Sequence, residues 1–140
     1  MGPHTSWVGG WRGATETLRN VAEIAIGVVF LIGAVFNTVY TLSHTDEFYG
    51  SFAESAWFGP ARWFVNHVVL PNGTAFTIFV ILFQATVAIL IFTRGDLATV
   101  ALFAGAGFAL LAAFASNIGG TIGNLSLAAI QFFLAFARIR

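Results

Sequence analysis

The chain has no cysteine and no lysine, and only 9% of its 140 residues are charged. Without cysteine there are no disulfides, no thiol redox chemistry, no cysteine-ligated iron–sulfur cluster and no thiolate metal site. Soluble domains average about 25% charged residues, so this composition is far from theirs. The formal net charge is zero and no basic run exists, so nucleic acid is not an expected partner. All basic residues are arginine, which reads as the codon usage of a GC-rich, prokaryotic genome and not as mechanism. The three histidines, His4, His44 and His67, all lie outside the long apolar runs. A haem held between facing intramembrane histidines is therefore not expected. His44, His67, Asp46, Glu47 and Glu54 could be imagined around a metal, but their spacing matches no metal signature. There is no Ser-His-Asp arrangement, P-loop or dinucleotide fingerprint.

What the chain has is apolar length. Ile24–Ser43, Thr74–Thr93, Leu97–Ser116 and Ile118–Ala137 are four charge-free windows of 20 residues. About 20 residues at 1.5 Å each cross the ~30 Å hydrocarbon layer. The fold class expected is all-α: a four-transmembrane-helix bundle in one membrane domain. Its expected parts are an interfacial segment at 1–20, spans at 21–43, 74–93, 97–116 and 118–138, and an amphipathic segment at 44–73. The first window is too long for a signal h-region and ends in Asn37–His44 without a small-x-small site, so it reads as a retained helix.

The arginines fix an orientation. With alternating helices, Arg12, Arg19, Arg94, Arg138 and Arg140 share one side and only Arg62 falls on the other. The positive-inside rule places both termini in the cytoplasm, and the expected location is the plasma (inner) membrane. Arg94-Gly95-Asp96 is a minimal hairpin with Asp96 suited to N-cap the next helix. Asn117–Gly120 is a second short turn, so the last three spans are antiparallel neighbours. Between the first two spans, Phe48-Tyr49, Phe52-Ala53 and Ala56-Trp57 form one helical stripe. Ser43 and Asp46 have capping-box spacing. Gly59-Pro60 restarts the chain, Trp63, Phe64, His67 and Val68 repeat the stripe, and Pro71-Asn72-Gly73 signals a turn that ends it. Two short amphipathic helices on the outer surface are expected. The tryptophans at 7, 11, 57 and 63 all fall outside the windows, as an aromatic belt requires.

Polar residues at depth seek other helices or a cavity. Gln84 lies mid-window in the second span. Gln131 lies near the middle of the fourth, seven residues from Asn124 on the same face. Asn37 and Asn124 sit in the outer halves of the first and fourth spans. Two uses are open for these amides: interhelical hydrogen bonding, or the lining of a pocket that opens outward. Asn37, Tyr40, Trp63, His67, Gln84, Asn124 and Gln131 are the ligand-binding candidates. Glu23, four residues after Arg19, is expected to pair with it at the interface. Gly33, Gly105, Gly107, Gly119 and Gly123 are candidate helix-packing positions, where close approach serves either intramolecular packing or a second chain.

Leu18-Arg19 leading into Gly27-Val-Val-Phe-Leu31 and Gly33-Ala-Val-Phe-Asn37 resembles the first helix of DoxX-like membrane proteins. The aromatic segment, the Thr93-Arg94-Gly95 turn and Gly123-Asn124-Leu-Ser-Leu-Ala-Ala-Ile-Gln131-Phe-Phe-Leu134 are similar to that group too. The resemblance spans roughly Leu18 to Phe136 and implies a four-helix bundle. The family's named member is a small subunit of a thiosulfate:quinone oxidoreductase, and others are linked to redox stress complexes. Relatives carry a glutamate where this chain has Gln84. An amide exchanges no proton near neutral pH, so this departure weakens any acid/base role that the resemblance implies. The functional expectation is an accessory subunit of a larger membrane assembly, or a homo-oligomer, without catalysis of its own. The alternative is a binder or carrier of a small hydrophobic molecule, a quinone or lipid. No other cofactor is evident, and membrane lipids are the certain surroundings of such a chain.

Overall fold

The computed structural model describes the backbone of residues 4–139 and the side chains of residues 13–139. The expectations for Trp7, Trp11, Arg12 and Arg140 lie outside the described side chains. Helices α1 (His4–Val39), α2 (Thr45–Ser55), α3 (Gly59–Phe64), α4 (Gly73–Phe92), α5 (Asp96–Phe114) and α6 (Ile118–Ile139) account for most of these residues, with no strand among them. Four stretches are long and apolar enough to cross a membrane: Gly13–Ser43, Gly59–Phe92, Asp96–Phe114 and Ile118–Ile139. The protein is a multi-pass, all-α membrane protein.

The 36 residues of α1 extend about 54 Å. The apolar layer takes about 20 of them, and the polar remainder continues the same helix N-terminally. Hydroxyls close its other end. Thr38 Oγ1 donates to the Ala34 carbonyl at 2.8 Å, and the chain then tightens into a 3₁₀ turn at Thr41–Ser43. The anticipated capping box does not form, because the Ser43 hydroxyl is engaged with the Tyr40 carbonyl and His44 Nδ1. His44 is the residue that precedes α2, and it makes no side-chain cap.

The apolar stripe of α2 buries as its spacing predicts. Tyr49 and Ala53 pack on Val65 and Val69, with Phe48, Phe52, Leu70 and Phe76 around them. Pro60 starts α3 in its first turn. The turn expected at Pro71-Asn72-Gly73 is corrected by the structure. The chain stays helical from Gly59 to Phe92, through a wide π turn at Val65–Val69 and a 3₁₀ turn at Leu70–Asn72. Proline lacks an N–H and crowds the preceding turn. The π turn is a known way for a helix to absorb such a misfit with a bend. Burial of Val65 and Val69 against α2 holds the segment helical where local preference alone would end it.

The remaining connections are short. Arg94 adopts a left-handed backbone with φ 63°, and Gly95, not Asp96, is the N-cap of α5. Asp96 is instead the first helical residue, where its carboxylate meets the positive end of the helix dipole. Asn117 caps α6, its Oδ1 accepting from the Gly120 N–H at 2.8 Å.

In the bundle α1 lies along α4, α5 along α6, and α4 joins the two pairs. Ile26, Phe30, Val87, Ala88, Ile91, Ala101, Leu102, Leu134 and Ala135 form a core drawn from all four spans. Apart from Leu102, the buried face of α5 is made of small residues: Ala98, Ala101, Gly105, Ala106, Ala109 and Ala113. Large apolar side chains on every span point outward, among them Val39, Leu82, Leu111 and Phe133. Such a surface requires lipid or another protein around it.

Gly105 shows how tight the centre is. A Cβ there would lie 2.4 Å from Gln131 Oε1 and 2.9 Å from Phe30 Cζ, whereas nothing lies within 4 Å of one at Gly95. Gly105→Leu is expected to abolish or severely reduce folded, monodisperse protein in detergent, and Gly95→Ala to leave yield and elution unchanged. Equal size-exclusion profiles for the two would show that Gly105 does not sit at a helix contact.

Candidate functional site

The polar side chains within the spans gather in separate places, not in one pocket. The most charged place is at the end of the bundle where α1 enters, α4 turns into α5 and α6 finishes. Glu23 on α1 is fully buried. Its Oε2 is 2.8 Å from Arg94 Nη1 and 3.0 Å from Arg138 Nη1. Arg94 also donates from Nη2 to Asn20 Oδ1 at 2.5 Å. Arg138 donates from Nε to Thr99 Oγ1 at 3.0 Å, and from Nη2 to the Gly95 and Arg94 carbonyls at 2.8 and 3.3 Å. One carboxylate thus ties three elements together through two guanidiniums, and one of those guanidiniums also caps the α4–α5 turn.

The expected pairing of Glu23 with Arg19 is not what forms. An i, i+4 neighbour on the same helix offers a single contact. The turn and α6 together offer two forked donors inside the bundle, where a charge-assisted bond is stronger. The sequence signal for this was present: alternating helices bring Arg94, Arg138 and Glu23 to one end. The same anchoring accounts for the left-handed backbone of Arg94, a conformation that disfavours a side chain.

The second place is between α1 and α4. Asn37 Nδ2 donates to Gln84 Oε1 at 2.8 Å, and Thr41 Oγ1 donates to Asn37 Oδ1 at 2.8 Å. Gly33 makes room for this amide pair, since a Cβ there would lie 2.7 Å from Gln84 Nε2. These two site candidates do meet, and they meet as an interhelical hydrogen bond.

Gln131 stands apart. It is fully buried, and neither amide atom has a hydrogen-bond partner. Its Oε1 packs against Gly105, close enough that an added Cβ there would clash with it. A buried unpaired amide costs about 1–3 kcal/mol.

The other candidates lie at the opposite end. Trp63 on α3 and His67 in the π turn after it are both exposed and stack at 4.6 Å, with His67 Nδ1 2.8 Å from the Trp63 carbonyl. Tyr40 stacks on His44 at 4.4 Å. Asn124 donates to the Gly120 carbonyl at 2.9 Å and lines an open cleft of about 290 Å³ with Ser51, Phe52, Ser55, Ser116 and Asn117. Trp57 Nε1 donates to Thr121 Oγ1 at 2.7 Å, fastening the α2–α3 link to the start of α6. Among the described residues no group of three or more His, Asp or Glu comes together. The packing glycines divide: Gly33 and Gly105 are in close contacts, Gly107 and Gly123 have nothing within 4 Å, and Gly119 has only Asn117 Oδ1 at 3.6 Å.

Sequence reasoning did not single out Tyr49. Its hydroxyl is 2.8 Å from Thr77 Oγ1, which in turn donates to the Gly73 carbonyl. Burial pushes the Tyr49 phenol above its ordinary pKa of 10.0, and the bond to Thr77 offsets part of that rise. The raised value favours the neutral phenol in the folded state. Its contribution to stability is full below about pH 10 and is lost as pH rises through the higher folded-state value. Only two tyrosines exist, so absorbance at 295 nm resolves this group. Tyr49→Phe should remove a transition lying above pH 10. Loss of a transition below pH 10 would contradict the burial.

The ion cluster makes a second expectation. Glu23→Gln leaves two guanidiniums without their carboxylate, and breaking a pair at a buried partner costs about 3 kcal/mol. Thermal unfolding in detergent should show a large loss for Glu23→Gln and almost none for Arg19→Gln. Similar melting for wild type and Glu23→Gln would mean that the cluster does not hold the bundle.

Comparison of the chain with protein-family models, with curated proteins and with solved structures finds no match.

Proposed function

We propose that this protein is an accessory, non-catalytic subunit of a larger membrane assembly. One observation carries the reading. Apart from Gln131, whose amide has no hydrogen-bond partner, the deep polar groups engage one another, as in Glu23–Arg94–Arg138 and Asn37–Gln84, while the outward surface stays uncommitted. Large apolar side chains line the outside of every span, and Gly123 on α6 has open space before it. A flank with missing side chains lets another helix backbone approach closely. The resemblance to DoxX-like proteins directs the search for that partner to redox-linked, quinone-using assemblies. In this reading both termini are cytoplasmic, on the strength of the arginine distribution, in the inner membrane of a prokaryotic cell. Helices α2 and α3 then lie at the outer face, with the Trp57, Phe58 and Phe114 ring cluster at the interface.

A second reading, binding of a quinone or lipid, has one observation in its favour. The cleft between α2 and the α5–α6 turn presents the Phe52 ring beside Ser51, Ser55 and Asn124, a mixture of apolar wall and a few polar groups.

The deciding experiment is purification from native membranes in a mild detergent. The expected outcome is elution with a second membrane protein, or as a homo-oligomer. A lone monomer would overturn the subunit reading. If that monomer retains a quinone by mass spectrometry, the binding reading replaces it.

A further inference from the structure

The geometry points to a binding site for the phosphate of an anionic phospholipid at the charged end of the bundle, with Arg19 as its free cation. Residues Arg19, Asn20 and Glu23 share one face of α1 by their i, i+1, i+4 spacing. Asn20 and Glu23 are taken up by Arg94 and Arg138. Arg19 is left half-buried beside them. Its Nε is shut off from solvent and has no hydrogen-bond partner, and among the described residues it is in no ion pair. A guanidinium seeks paired oxygens, and phosphate is the oxyanion it fits by a two-pronged contact. Arg94, 32% exposed at its side chain, stands on the same cluster and adds charge from the side.

Two features select a lipid over a free phosphate. Apolar side chains are exposed at this end of the bundle: Leu18 and Val21 on α1 are 71% and 59% exposed, and Leu97 at the start of α5 is 58% exposed. Acyl chains would lie along these side chains while the headgroup meets the arginine. The charge balance agrees. By sequence this end carries Arg12, Arg19, Arg94, Arg138 and Arg140 against Glu16, Glu23 and Asp96, and the opposite end carries Arg62 against Asp46, Glu47 and Glu54. Anionic headgroups gather at basic residues beside a span, and zwitterionic ones do so far less. The site is independent of the subunit reading and of the cleft near Asn124.

The test is native mass spectrometry of the full chain released from equimolar phosphatidylglycerol and phosphatidylcholine. Wild type should retain phosphatidylglycerol in excess, and rising salt should reduce the excess. Arg19→Gln should cut it about fivefold, the weight of one arginine at an anionic surface. Arg19→Lys should keep most of it. Because Arg19 supports no ion pair, Arg19→Gln should melt like wild type in phosphatidylcholine alone. Inorganic phosphate should not displace the lipid; displacement at millimolar concentration would mean a free-phosphate site instead and overturn the lipid assignment. Equal retention of the two lipids, or an excess that Arg19→Gln leaves intact, would overturn it too. Loss of a co-purifying acidic protein on Arg19→Gln, with lipid retention unchanged, would assign the arginine to a protein contact.

Discussion

Removing a carboxylate from water is costly, and Glu23 has been removed completely. What offsets that cost is a pair of guanidiniums that reach it from the far end of the chain and from the middle. The constraint works in both directions. Arg138 can approach Glu23 only if α6 returns alongside α1. Arg94 can approach it only if α4 ends at that depth and turns sharply, with a left-handed residue at the corner. Lipid attracts apolar helices to the bilayer but does little to choose among their arrangements. A charge that cannot be left bare does choose. Register, turn position and the order of helices around the bundle are all consistent with that single demand.

A gentler version of the same logic operates between α1 and α4. Asn37 and Gln84 bond to each other, and Gly33 stands aside to let them. On the α5–α6 side the fit is different. The middle of the seam is mostly alanine and glycine with one large polar side chain that has no hydrogen bond, and the directional contacts sit toward its ends, as in Arg138 with Thr99. One helix pair carries its directional bond between side chains at depth, and the other relies there on closeness of approach.

The four spans were legible because charge-free runs of bilayer length have few alternatives. The α2 stripe was legible because Phe48, Tyr49, Phe52 and Ala53 repeat at helical spacing. Glu23 was placed at the interface but given the wrong partner, since reading along one helix sees Arg19 and not the arginines that a folded bundle brings close. Pro71-Asn72-Gly73 reads as a turn by local preference, and burial of Val65 and Val69 overrides it. The candidate ligand residues could be found as polar groups at depth. Their grouping could not, because helix rotation decides whether Asn37 meets Gln84 or Asn124. The burial of Tyr49 was part of that stripe, but its hydrogen bond was not legible, since the partner, Thr77, sits 28 residues away on another helix.

The solitary amide of Gln131 has a bearing on how the chain enters the membrane. Alone in hydrocarbon, α6 would expose both amide atoms to a medium that can answer neither. Entering together with α5, it meets the gap at Gly105 and is covered from the start. The connection between the two helices is only three residues, Ala115–Asn117, short enough for them to insert as one hairpin.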